Sequence, residues 1–206
     1  MPFTTYGLDK FFAQEISALS ECNAPDLAEH FAEVEPLIDN FILNSIFTSP
    51  IKTEYKPYIF GIIRRVQMTL VEYQNGRTLI LSYLNESKKN TSLYFQALSY
   101  FEIAVTLLYQ AYEFLRKLGK KIESKETNLF EKGDGSSLEK LNRLYNISKH
   151  LEASTIPEGN LHHIWISNDG ICANGVTMSL TELADLVKEY VALAKAFSNL
   201  NPVSIP

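Results

Sequence analysis

Between Thr91 and Leu118 the chain places Tyr94, Leu98, Phe101, Val105, Leu108, Tyr112 and Leu115 at intervals of three to four residues, without a break. Only an α-helix puts residues so spaced on one face, and the near-heptad repeat is that of a helix seated along another helix. A second strip, Tyr100, Ile103, Leu107, Ala111 and Phe114, flanks the first. The spacing therefore predicts a helix over 92–118 that is packed on several sides, the natural centre of a helical bundle. Its two acids, Glu102 and Glu113, share a narrow face but stand eleven residues apart, too far for a catalytic carboxylate pair on one helix.

The remaining segments supply this helix with neighbours. Leu8, Phe11, Phe12, Ile16 and Leu19 predict a first amphipathic helix within 8–23. Leu27, Phe31, Val34, Ile38, Phe41 and Ile42 predict a second over about 25–45, kinked or divided at Pro36, with a turn at Thr48-Ser49-Pro50. Residues 57–84 carry another long pattern, which the turn dipeptide Asn75-Gly76 predicts to be one broken helix. NESKKN (85–90) makes a short connection, and Asn90 or Thr91 caps the central helix. Gly119, followed by basic residues, marks that helix's end.

EKGDGSS (131–137) has turn chemistry, and Ser136 or Ser137 caps a helix over 138–154 that Pro157 and Gly159 close. In 161–178 the period changes to that of strands, with turn signals at Asn168-Asp169-Gly170 and Asn174-Gly175, so a small β-hairpin is expected. Ser179-Leu-Thr-Glu182 is a capping box opening a last helix over 180–198, and NPVSIP is a tail. The expected fold is all-α: an up-and-down bundle of five to six helices with a small β-hairpin inserted before the last. Residues 1–55 form an N-terminal helical extension packed on it, and 56–206 a single bundle unit.

Composition narrows the chemistry. At 206 residues the chain can bury a full core without disulfides or a metal. Cys22 and Cys172 lie far apart in sequence with no ligand spacing, and His162-His163 on a strand would point to opposite faces, so no metal site and no cofactor are expected. There is no phosphate-cradling Gly-rich loop, GxSxG or HExxH. No apolar run approaches the ~20 residues of a membrane span and the start lacks a signal-peptide pattern, so a cytoplasmic protein with no membrane association is expected. A net charge of −5 argues against a general nucleic-acid-coating surface. It leaves room for a local basic patch, and Arg116, Lys117, Lys120, Lys121 and Lys125 form a candidate one.

The segment LEKLNRLYNISKHLEAS (138–154) carries the candidate chemistry. On a helix Arg143, Asn146 and His150 share an arc of roughly 60°, away from Leu138, Leu141, Leu144, Tyr145 and Leu151. His is the side chain best suited to move a proton near neutral pH, Arg the best to hold a phosphate, and Asn can orient either. Arg143 and His150 are the candidate catalytic pair; Asn146, Lys149 and Glu139 are the candidate binding residues. Arg143 and His150 are separated by about 10.5 Å of helix rise, so one chain makes a poor site. A homodimer through the 138–154 helix, crossing a two-fold near Asn146, would place one copy's Arg beside the other's His.

Arg143-LYNISK-His150, late in a helical bundle, resembles the hallmark of the HEPN superfamily (higher eukaryotes and prokaryotes nucleotide-binding). The run from NRLYNISKH through HIWISNDGICANGVTMSLTELADL is similar to an uncharacterised bacterial group within it, and the likeness covers roughly residues 90–198. The resemblance implies a helical bundle dimerising through its motif helices, often in toxin–antitoxin or phage-defence systems. The leading expectation is a non-catalytic helical dimer that binds a nucleotide, RNA or a protein partner through the Arg143/Asn146/His150 face. The alternative is a metal-independent endoribonuclease with a composite Arg143/His150 site.

Overall fold

A computed structural model describes residues 5–11, 13–47, 51–124, 128–149 and 164–199. The expected turn at 48–50, Lys125, the helix beyond Lys149 with its Pro157–Gly159 stop, the His162-His163 pair and the tail lie outside the described residues.

The frame is an antiparallel pair, α4 (Lys56–Asn85) and α5 (Thr91–Glu123), the most extensively packed pair in the molecule. Pro57 sits in the first turn of α4, where its missing N–H costs nothing, and the Asn90 side chain caps α5 by accepting from Ser92 N at 3.1 Å. The expected break at Asn75-Gly76 does not occur. Gly76 lies mid-helix against the ring of Phe101, where an added Cβ would stand only 3.1 Å from that ring. Gly61 meets Phe114 in the same way, at 3.0 Å. Both glycines let the two backbones approach closely, so packing rather than turning explains them.

The expected end of α5 at Gly119 is also corrected. The helix continues to Glu123 and stops at Ser124, whose φ of 56° is left-handed. Leu118 is buried, and Lys121 lies 4.0 Å from Glu54 and over the Tyr58 ring, so the last turn is held against the start of α4.

The N-terminal region is less helical than its periodicity suggests. α1 (Thr5–Phe11) is short; beyond it the chain turns, with Glu15 at φ 63° and the Asp9 carboxylate accepting from both Ser17 N and Ser17 Oγ. Ala13, Ile16, Leu19 and Leu27 still enter the core. The expected second helix resolves into a 3₁₀ turn (Ala28–His30), α2 (Phe31–Val34) and α3 (Leu37–Phe47), divided at Pro36. Side chains stitch this region to later elements. Tyr83 donates to Ile16 O at 3.2 Å, Arg77 Nε to Ala24 O at 2.9 Å, and Tyr73 to Pro25 O at 3.1 Å.

α6 (Ser137–Lys149) packs on α5, and the last helix, α7 (Leu180–Ser198), on α4 and α3. The capping box at Ser179/Glu182 is fully formed, and Lys140 of α6 reaches Glu182 at 2.5 Å. The expected hairpin is a three-stranded antiparallel meander: β1 (Ile164–Ser167), β2 (Gly170–Ala173) and β3 (Val176–Met178). Both turn signals operate, with Ile166 opposite Ile171 and Ala173 opposite Val176. The buried Tyr94 hydroxyl accepts from Ile166 N at 2.8 Å, fixing the sheet to α5. A mostly helical bundle with a small sheet inserted before its last helix is the observed architecture.

Candidate functional site

α6 is positioned at its start by a folded loop. Gly133 and Gly135, at φ 87° and 70°, turn the chain so that both of their N–H groups donate to the Glu139 carboxylate, at 2.6 and 2.8 Å. Ser136 Oγ accepts from Glu139 N at 3.2 Å as the cap. Asp134 accepts from Ser136 N at 2.8 Å, which holds its carboxyl below the usual range. Glu139 is buried, and both its carboxylate oxygens are taken by the loop. It shapes the entry to the helix.

The structure separates the remaining candidates. Arg143 is exposed on the sheet side of α6 and donates through one terminal nitrogen to Gly175 O, 3.0 Å away in the β2–β3 turn. Asn146 and Lys149, about 60° and 120° further round the helix, face α5. Asn146 Nδ2 donates to Asn142 Oδ1 at 3.0 Å, and Lys149 Nζ sits 5.8 Å from the centre of the Tyr145 ring. His150 lies outside the described residues.

Asn146 and Lys149 form one wall of a cleft of about 440 Å³ between α4, α5 and α6. Such a volume is in the range of small-ligand sites. Arg65 contributes from α4; Tyr109, Gln110, Glu113, Phe114 and Lys117 from α5; Tyr145 from α6. Tyr109 and Tyr145 stack with ring centres 4.1 Å apart and planes at 19°, joining the two helices at the floor. Arg65 is fixed by its Nε bond to Gln110 Oε1 at 3.0 Å and by the Phe114 ring, 5.2 Å from the guanidinium carbon. Burial, with the neighbouring Arg64, lowers the pKa of Arg65, yet a guanidinium stays charged at any working pH.

The charges in this cleft are unbalanced. Glu113 accepts from Arg116 at 3.1 Å and from the Tyr109 hydroxyl at 3.3 Å, so its carboxylate is already engaged. Burial, reinforced by that carboxylate, pushes the Tyr109 phenol up to about 12 and keeps it a neutral donor. Among the described residues, none of Arg65, Lys117 or Lys149 is paired with a carboxylate. Three helices thus bring three cations and two amide side chains to one aromatic-floored cleft, on a chain of net charge −5. An oxyanion is the complement of such a lining.

Of the described residues of the basic cluster read from sequence, only Lys117 lines the cleft; Arg116 binds Glu113 and Lys121 turns to Glu54. Arg65 and Tyr109 have no local motif and enter only through the pairing of α4 with α5. Among the described residues no group of three metal-ligating side chains exists, and no helix is long and apolar enough to cross a membrane. No family model, no curated protein and no solved structure matches this chain.

Proposed function

We propose that this chain is a non-catalytic helical binding protein that takes a phosphorylated ligand, a nucleotide or the backbone of RNA, in the α4–α5–α6 cleft. The observation that carries this reading is the convergence of Arg65, Lys117 and Lys149 with no carboxylate partner among the described residues. A forked guanidinium and two ammonium groups suit phosphate oxygens, while Asn146 and Gln110 supply neutral hydrogen bonds beside them. The resemblance to the HEPN superfamily points to the same ligand class. The side of α6 used is that of Asn146 and Lys149, while Arg143 is engaged with the β2–β3 turn.

The endoribonuclease alternative draws no support from the described geometry. It requires His150, and Arg143 is turned to a carbonyl of its own chain. The homodimer through α6 and a protein partner on the same face likewise stay outside this reading.

Titration of a fluorescent single-stranded RNA and of free nucleotides, at several salt concentrations, tests the proposal. Three phosphate contacts to a single strand predict a log K against log[salt] slope of roughly −2. Arg65→Ala and Lys117→Ala should each weaken binding about tenfold and make the slope shallower by nearly one contact. Binding that both substitutions leave unchanged, or no binding at low salt, rejects the cleft as the site.

A further inference from the structure

α3 carries large apolar side chains toward the core and toward solvent alike. Its sequence, LIDNFILNSIF, holds a single charged residue, Asp39. Leu37 and Phe41 fill the inner face, and Phe41 stacks against Phe60 of α4 with ring centres 6.4 Å apart. On the outer face Ile42, Leu43, Ile46 and Phe47 stand 42, 53, 67 and 75 % exposed. Asp39, one turn before Leu43, is the one charged residue on that side, and four large exposed apolar side chains beside it are more than an amphipathic surface helix presents.

The exposure is not that of a loosely held helix. Asn44 Nδ2 donates to Ser198 O at 2.8 Å, Ser198 Oγ to Leu37 O at 3.0 Å, and Lys56 Nζ to Ser45 O at 2.8 Å. These bonds fix α3 to α7 and α4 along its length, so the outer face is presented in one orientation.

We infer that the outer face of α3 is a dimerisation surface whose partner is α3 of a second copy of this chain. Three observations select a copy over other occupants. Ile42–Ile46 and Leu43–Phe47 are two parallel ridges of i, i+4 spacing, the pattern that interlocks with itself at a crossing angle near −50°. The four side chains expose on the order of 500 Å² of apolar surface, at the upper end for a monomer's largest patch. Two such patches together remove about 1,000 Å², the area a stable interface must clear. Charge adds no obstacle: about a two-fold at Leu43 the two Asp39 residues are separated by roughly 12 Å of helix rise, beyond the screening length at physiological salt. A lipid surface fits less well, because α3 has no Lys or Arg to meet headgroups.

Sedimentation equilibrium of the full chain from 1 to 200 μM, with Ile46→Glu, Phe47→Ser and Ile103→Glu variants, tests the inference. Ile103 is 44 % exposed on α5 and lies on a different surface. Wild type and Ile103→Glu should dimerise, while Ile46→Glu and Phe47→Ser should weaken the dimer by about 30-fold or more, with unchanged circular dichroism. A wild-type monomer throughout, a dimer that survives both α3 substitutions, or a dimer broken equally by Ile103→Glu would overturn it. So would wild-type protein that stays monomeric yet binds neutral phosphatidylcholine vesicles through Ile46 and Phe47. None of these outcomes depends on ligand binding in the α4–α5–α6 cleft.

Discussion

A single ion pair, Lys140 with Glu182, does two jobs at once. Glu182 completes the capping box at the start of α7, accepting from Ser179 N at 2.8 Å, while Lys140 brings α6 to the same carboxylate. Although burial pushes the Glu182 carboxyl up, the Lys140 ammonium and the Ser179 N–H outweigh it and hold the carboxyl below its ordinary value. A carboxyl depressed in the folded state adds stability above its unfolded pKa, and loses that contribution as pH falls through the folded value. Urea denaturation at pH 7 and in the acid range should therefore show stability falling below about pH 4.3. In Lys140→Ala that fall should be smaller, because the folded carboxyl then lies nearer its ordinary value. At this scale the sequence was readable where the pattern is local: the Ser179/Glu182 box was evident, its Lys140 partner 42 residues away was not. Glu139 shows the converse. Read from sequence as a candidate binding residue, it is held by the Gly133 and Gly135 N–H groups as a buried anchor of the loop.

Helices and strands were legible in proportion to how far their own residues decide them. The α5 seam, the capping box and both turns of the sheet rest on near-neighbour spacing and appear as expected. Gly76 and Gly119 misled for a common reason: glycine reads as a turn, whereas Gly76 serves a close approach and Gly119 sits within the helix with open space around it. Their replacement separates the two roles. At Gly119 an added Cβ meets nothing within 4 Å, so Gly119→Ala should stabilise the protein by up to about 1 kcal/mol through helix propensity. At Gly76 the same gain is opposed by the fully buried Phe101 ring, itself edge-on to Tyr73 at 5.8 Å. Overpacking of about 1–3 kcal/mol should leave Gly76→Ala less stable than wild type. Thermal melts of the two variants should thus move in opposite directions. The same pairing of α4 with α5 that makes Gly76 tight also brings Arg65 opposite Gln110. The cleft could be inferred only after the register across the 86–90 connection was known.

At the scale of the molecule, elements distant in sequence close on one another. The segment around residues 13–27 is fastened by Tyr73, Arg77 and Tyr83 of α4 and by Asn168 in the β1–β2 turn, whose Oδ1 accepts from Ser20 N at 3.0 Å. Ser198, at the end of α7, donates to Leu37 O. During synthesis, residues 13–47 leave the ribosome well before any of these anchors exists. Their burial waits for α4, and the closing contacts of α3 wait for α7. Domains more often consolidate in the order they are made; here a part that emerges before its anchors is among the last to be secured. Ribosome-bound chains stalled before α7 should accordingly be cut by protease within 13–47, while the released full chain resists. Equal resistance in the stalled chains would mean that the early segment closes without its late partners. If those chains are cut as expected, the nascent protein depends on its surroundings to shield an apolar stretch for the time it takes to translate the rest.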